Sequence, residues 1–249
     1  MTRTFYNQFR LGDCLWSYHW LRHAALANPD DEFEFYCLDA HHWQLAPVLE
    51  GVKVRLRPLS NYYGGGVNLW INADGYYPPK DRDLVAFLCG MFALVAAKAG
   101  IRPVLTERAQ WLFDYPALIS STIPINDSPI QKILLVDSPP QSGQFAFDGS
   151  AFARLTAKLS AQGHAVFCTN ESKPFRSVTE WGALSMICDY IIMVSTGPSW
   201  ATFNALTEAT VKERFILLHD KEFINYGREY PHFSNLPALE NRLTAMGLL

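Results

Sequence analysis

Short apolar runs alternate with longer helix-like stretches through most of this chain. Thr4 to Phe9 reads as a first strand, and Cys14 to Leu26 as a helix whose Leu15, Leu21, Ala25 and Leu26 would face a sheet. Phe33 to Leu38 and Val52 to Leu56 read as strands on either side of a short helix, His41 to Leu49. Gly64-Gly65-Gly66 interrupts before a fourth strand, Val67 to Asn72, and a long apolar helix runs from Leu84 to Ala99. Periodicity then fades from Ile101 to Pro129, where Pro103, Pro116, Pro124 and Pro129 mark a connecting segment. A second series follows: strand Lys132 to Asp137, helix Gly149 to Ala161, strand Ala165 to Thr169, helix Val178 to Cys188 and strand Tyr190 to Val194. It closes with helix Trp200 to Ala209, strand Arg214 to His219 and helix Leu236 to Met246.

Strands joined by helical crossovers predict parallel sheets covered on both faces. Two such series predict an α/β protein of two Rossmann-like lobes, residues 1–125 and 126–249. In sheets of this kind ligands bind beyond the carboxyl ends of the strands, so the turns at those ends are where chemistry is expected.

Composition narrows the class. With 49% hydrophobic and 18% charged residues the chain is expected to be globular and soluble. A net charge of −3 argues against a broad polyanion-binding surface, which disfavours nucleic acid as a partner while leaving room for a local basic pocket. The five cysteines form no CxxC pair, so reduced, buried thiols and a cytoplasmic location are expected, with no metal ligation by sulfur. The first residues carry no apolar signal core, and Leu84 to Ala99 is short for a membrane span and contains Lys98, so no transmembrane segment is expected.

Four turns carry candidate chemistry. In Arg10-Leu11-Gly12-Asp13, Gly12 permits a tight turn. Asp13 suits either an N-cap of the following helix or a general base acting on an acceptor hydroxyl. Asp137 to Gly143 offers Ser138, Gln141 and Ser142 to phosphate or sugar oxygens, or is a plain proline-rich loop. Thr169 and Asn170 lead to Lys173 and Arg176, two cations suited to a diphosphate or simply solvated, and Glu180 suits a helix cap or ribose hydroxyls. Last, Ser195-Thr196-Gly197-Pro198-Ser199 joins an apolar strand to a helix start, where unpaired N–H groups favour an anion. Pro198 fits the first helical turn because its missing N–H costs nothing there.

Other motifs are weak. Asp81-Arg82-Asp83 has the DxD form but directly precedes a helix, where acidic residues are usual. His19 and His23 stand four apart but lack an HExxH pattern or an acidic partner nearby in sequence, and His41-His42 reads as helix-start packing. Gly64-Gly65-Gly66 matches neither nucleotide-binding glycine pattern, and no GxSxG elbow is present. Aromatic residues gather at Tyr62, Tyr63, Trp70, Tyr76 and Tyr77, where they suit stacking on sugars or bases, or core filling.

Taken in order, Gly12-Asp13-Cys14-Leu15, the polar loop from Ser138 to Ser142 and Val194 to Trp200 resemble the heptosyltransferase-like group of GT-B glycosyltransferases, similar to glycosyltransferase family 9. The resemblance implies a GT-B fold, with parallel sheets facing a central cleft, and transfer of a sugar from a nucleotide-sugar donor to an acceptor hydroxyl, inverting and metal-independent. It implies Asp13 as the catalytic base, with Arg10, Gly12, Asp74 and Tyr76 on the acceptor side. The donor would lie against Ser138, Gln141, Ser142, Thr169, Asn170, Lys173, Glu180, Ser195, Thr196, Gly197, Pro198 and Ser199, with no further cofactor and no metal. The acceptor is left open among a glycan, a lipid-linked glycan, a protein, a small molecule and modified DNA. Ser195 stands where the group often has aspartate, and Trp200 where it often has histidine. A non-catalytic GT-B-like nucleotide- or glycan-binding protein is therefore the alternative, and a small α/β hydrolase or phosphatase using the same anion-binding turns ranks behind it.

Overall fold

The computed structural model describes residues 1–70, 83–114, 130–140, 145–170, 177–218 and 230–249. They fall into two units, one up to residue 114 and the other from residue 130 on.

The first unit holds β1 (Thr2–Asn7), α1 (Leu11–Ala27), β2 (Glu32–Cys37), α2 (Asp39–Leu45), β3 (Val54–Pro58), β4 (Val67–Asn68) and α3 (Leu84–Ala99). Its four strands are all parallel, in the order β3-β2-β1-β4. Phe5 pairs with Phe35 on one side and Val67 on the other. The order reverses between β1 and β4, the place where an open α/β sheet leaves a crevice for a ligand. Gly66 leads into β4 so close to β1 that a β-carbon there would lie 2.9 Å from the Thr4 carbonyl oxygen. The third glycine of the triplet is thus a packing requirement rather than a phosphate loop.

α1 departs from expectation. It begins at Leu11, not Cys14, with Arg10 as an N-cap that makes no side-chain cap bond. Asp13 therefore sits inside the first turn and is not the cap. The helix is also buried almost all round: every residue from Cys14 to Leu21 is inside, while Leu26, expected to face the sheet, is exposed. A helix apolar on every side belongs between layers. Trp20 meets Phe5 of β1 edge-on at 5.8 Å and stacks on Phe92 of α3 at 5.4 Å, while Trp16 packs on Trp111 and Phe113. α3 runs over the expected span: the Asp83 side chain accepts from the Ala86 N–H, and Gly100 closes the other end with φ +63°. The second aspartate of the DxD is therefore a cap, while Asp81 and Arg82 lie outside the described residues.

The second unit holds β5 (Lys132–Val136), α4 (Gly149–Ala161), β6 (Ala165–Cys168), α5 (Val178–Ser185) and β7 (Tyr190–Val194). α6 (Gly197–Ala201), α7 (Ala205–Thr210), β8 (Glu213–Leu217), β9 (His232–Phe233) and α8 (Leu236–Ala245) complete it. Its five strands are again all parallel, in the order β6-β5-β7-β8-β9, so the reversal falls between β5 and β7. Ile133 to Val136 are all buried, as a strand covered on both faces requires. Alternate residues Ile133, Leu135, Ile192, Val194, Phe215 and Leu217 share a core with Phe152 and Leu155 of α4 and Leu239 and Leu243 of α8. The single helix expected from Trp200 to Ala209 is two, broken at Thr202 to Asn204, and Asn204 caps the second by accepting from the Thr207 N–H. β9, a two-residue strand beyond β8, has no counterpart in the sequence reading.

Candidate functional site

In the first unit the carboxyl ends of β1 and β4 stand side by side, and each ends in a buried asparagine. The Asn7 amide oxygen accepts from the Phe9 N–H at 2.8 Å, and the Asn68 amide oxygen accepts from the Trp70 N–H at 3.0 Å. Asparagine favours such turns because its side chain replaces a backbone acceptor two residues on. Asn7 also donates to Ser17 Oγ at 2.8 Å, and Ser17 donates to the Asp13 carbonyl oxygen at 2.8 Å. This relay fixes the first turn of α1 against the end of β1. The Asp13 carboxyl is carried there, partly exposed, with its pKa raised to about 6. Burial is the main cause, opposed by a bond from the Arg10 backbone and by the Arg10 charge. Gly12 is buried beside it and Arg10 is exposed. Asp74 and Tyr76, the other residues expected on the acceptor side, lie outside the described residues. Of the aromatic group, Tyr62 packs on Tyr6 at 4.8 Å and its hydroxyl accepts from the Gly66 N–H at 3.0 Å, Trp70 packs edge-on against Phe87, and Tyr63 is exposed.

In the second unit the loops after β5 and β6 are joined by side chains. Buried Asp137 accepts from Thr169 Oγ1 at 3.1 Å and from the Asn170 N–H at 2.9 Å. Thr169 Oγ1 in turn accepts from the Asp137 N–H and lies 2.8 Å from Ser138 Oγ. Ser138, Thr169 and Asn170, expected to meet a donor, are thus brought together, and Asp137 is the residue that gathers them. Gln141, Ser142, Lys173 and Arg176 lie outside the described residues. Glu180 is exposed and accepts from the Ser177 N–H at 2.6 Å while Ser177 Oγ accepts from the Glu180 N–H, a reciprocal cap at the start of α5.

The turn after β7 is tighter than an open anion site. α6 is a helix of only five residues, so its dipole is small. Ser199 Oγ accepts from the Thr196 N–H and donates to the Thr196 carbonyl, and the Ser199 N–H bonds the same carbonyl. Pro198 has no N–H. Among the donors left to the turn are the Gly197 N–H and the Thr196 hydroxyl, which is buried with no hydrogen-bond partner among the described residues. Ser195 is buried at the end of β7.

Two all-parallel sheets, each reversing its order beside a polar turn, can be compared with solved structures. An E. coli heptosyltransferase, WaaC, solved with ADP-2-deoxy-2-fluoro heptose, superposes over 99% of this chain and 100% of its own, with a TM-score of 0.59 at 10% identity. The chain has a GT-B-like fold. The iron-containing dodecameric heptosyltransferase TibC, solved with ADP-D-beta-D-heptose, covers 94% of this chain with 62% of its own, at a TM-score of 0.55 and 14% identity. A family 9 glycosyl transferase from Veillonella parvula covers 98% of this chain with 89% of its own, at a TM-score of 0.52 and 11% identity. No family model and no curated relative matches the sequence. The resemblance read from the Gly12-Asp13 and Thr196-Gly197 turns is therefore met at the level of fold.

Two groups escaped the sequence reading. Arg214 of β8 is buried and reaches back to the break between α6 and α7: it bonds the Thr202 hydroxyl and the Glu208 carboxylate, and donates to the Thr202 carbonyl at 3.0 Å. Its guanidinium also lies 4.2 Å from the Phe203 ring centre. Asp114, the second group, supplies the acidic partner that His19 and His23 lack in sequence. No local signal connects it to them, because it comes from the far end of the first unit.

Proposed function

We propose that this protein is a glycosyltransferase that moves a sugar from a nucleotide-sugar donor to an acceptor hydroxyl, with inversion and without a metal in the chemical step. Residues 1–125 take the acceptor and 126–249 the donor. The observation that carries the reading is Asp13: a carboxyl at the reversal point of a parallel sheet, with a pKa of about 6. A general base works best when its pKa lies near the working pH, and an ordinary aspartate is too weak. Asp13 takes the acceptor proton as the oxygen attacks the anomeric carbon. Negative charge then grows on the departing diphosphate, which the Gly197 N–H and the Thr196 hydroxyl bind. Ser138, Thr169, Asn170 and Glu180 hold the rest of the donor, with Gln141, Ser142 and Lys173; Arg10, Gly12, Asp74 and Tyr76 serve the acceptor. Because WaaC and TibC are solved with ADP-sugars, an ADP-linked donor is the first to try. Five free cysteines suit a reducing compartment such as the cytoplasm.

The test compares wild type with Asp13→Asn in release of ADP from an ADP-heptose donor across a panel of glycan and lipid-linked acceptors. Loss of turnover with unchanged ADP affinity supports the reading. Equal turnover removes Asp13 as the base. The internal bonding of Ser199 and Thr196 favours a second reading, a nucleotide- or glycan-binding protein without turnover. ADP binding without donor consumption in wild type would select it.

A further inference from the structure

We propose that His19, His23 and Asp114 form a binding site for one divalent transition-metal ion, separate from the sugar-transfer chemistry. One ligand atom from each lies within 4.8 Å of the other two. His19 Nδ1 is 4.0 Å from Asp114 Oδ1, and His23 Nε2 is 3.7 Å from Asp114 Oδ2. Neither separation is a hydrogen bond, which needs about 3.2 Å or less. Two donors on one tetrahedral ion with bonds of about 2.05 Å stand roughly 3.3 Å apart. Sharing one ion needs the half-exposed Asp114 to rotate inward and the two imidazoles, whose ligand atoms stand up to 4.8 Å apart, to draw together by up to about 1.5 Å.

The histidines are prepared for the role. His19 is wholly buried, and its Nε2 lies 2.7 Å from the Gln110 carbonyl oxygen. A carbonyl only accepts, so the ring proton is on Nε2 and Nδ1 presents a lone pair toward Asp114. Metal-bound histidines are oriented by such a bond from the other nitrogen. His19 Nδ1 and His23 Nε2 are both buried without a hydrogen-bond partner among the described residues. Leaving buried polar atoms unpaired is costly, and an ion would pair both at once. Trp111 and Phe113 flank the His19 ring at 6.0 and 4.9 Å and wall one side from water, while the Asp114 side is open to solvent. Arg22 Nε stands 3.9 Å from Asp114 Oδ1 and would hold the carboxylate oxygen that the ion leaves free.

Two imidazoles and one carboxylate select an ion of the zinc, cobalt or nickel kind over magnesium or calcium. The site lies along α1 from Asp13, about 9 Å of helix rise from it at His19 and about 15 Å at His23. Its effect is to tie the segment ending at Asp114 to α1, and nothing in it depends on the protein being a glycosyltransferase.

The untagged 249-residue chain, stripped with a chelator, is titrated with Zn²⁺ by calorimetry and with Co²⁺ by visible absorption. One equivalent is expected to bind with a dissociation constant of about 1 μM or tighter, with a rise in melting temperature through mass action. His23→Gln and Asp114→Asn, both at partly exposed positions, are expected to weaken binding 10- to 100-fold each and to remove the cobalt d–d bands together. Magnesium should give no heat. Absence of zinc and cobalt binding at 100 μM metal overturns the proposal, as does binding of wild-type strength in the double variant, which would place the ion elsewhere.

Discussion

Asp13 is held in its place by a relay that starts one strand earlier, through Asn7 and Ser17. Its raised pKa has two measurable consequences. For activity, kcat/KM should fall about tenfold per pH unit below pH 6, because the base must be unprotonated. A profile flat down to pH 4 would show that another group takes the proton. For stability the sign is opposite to that of a salt-bridged aspartate. Folded Asp13 binds its proton up to about pH 6, and unfolded Asp13 only to about 3.8. Its contribution is therefore neutral below pH 3.8 and becomes unfavourable as pH rises through 6. Asp13→Asn should accordingly be the more stable protein at pH 7 to 8, by about 1–3 kcal/mol, with the gap closing near pH 4. Urea unfolding of both proteins at pH 4 and pH 7.5 measures it. A residue kept at a cost in stability is what a working base looks like, and an Asn7→Ala variant should lose turnover with Asp13 intact.

Helix ends in this chain were readable where their side chains cap them. α3 runs over the expected span, bounded by Asp83 and Gly100, and Asp83→Ala should cost about 1 kcal/mol by chemical denaturation. α4 and β7 were equally plain, one because Asp148 caps it before a strong amphipathic run, the other because Tyr190 to Val194 is apolar from end to end. The break between α6 and α7 was not. Trp200 to Ala209 reads as one helix, and the residue that bonds across the break, Arg214, is on β8. Arg214 places its charge among Thr202, Glu208 and the rings of Phe203 and Tyr230, while Tyr230 donates to the other Glu208 oxygen at 2.7 Å. Removing Arg214 strands a partly buried carboxylate that keeps its Tyr230 bond, so Arg214→Ala should destabilise by about 3 kcal/mol, the low end for a buried pair. Arg214→Ala combined with Glu208→Gln should recover part of that loss, because the uncompensated carboxylate is gone. Non-recovery would mean that the guanidinium acts mainly through packing. The start of α1 also departs from the sequence reading: Asp13 has cap chemistry, but the helix begins three residues earlier, at Leu11, with Arg10 in the cap position.

Both units are parallel sheets that reverse their order once, yet the polar turns at the two reversals are unlike. The first offers a carboxyl with a raised pKa; the second offers hydroxyls and backbone donors, with Asp137 turned away to organise the loop after β6. Under the proposed function a diphosphate is assigned to the second turn, which offers donors, and not to the first, where an ionised carboxyl would repel it. Hydrogen exchange read by mass spectrometry tests this in the intact chain. Saturating ADP should slow exchange in peptides covering 133–140, 165–170 and 190–205, because bound ligand raises the free energy of local opening by RT ln(1 + [L]/Kd). Peptides covering 1–27 and 54–70 should be unchanged by ADP alone and should slow only when an acceptor is added. Protection of residues 7–17 by ADP alone would place the nucleotide on the Asp13 side, reverse the assignment of the two units, and leave Asp13 facing a phosphate it cannot deprotonate.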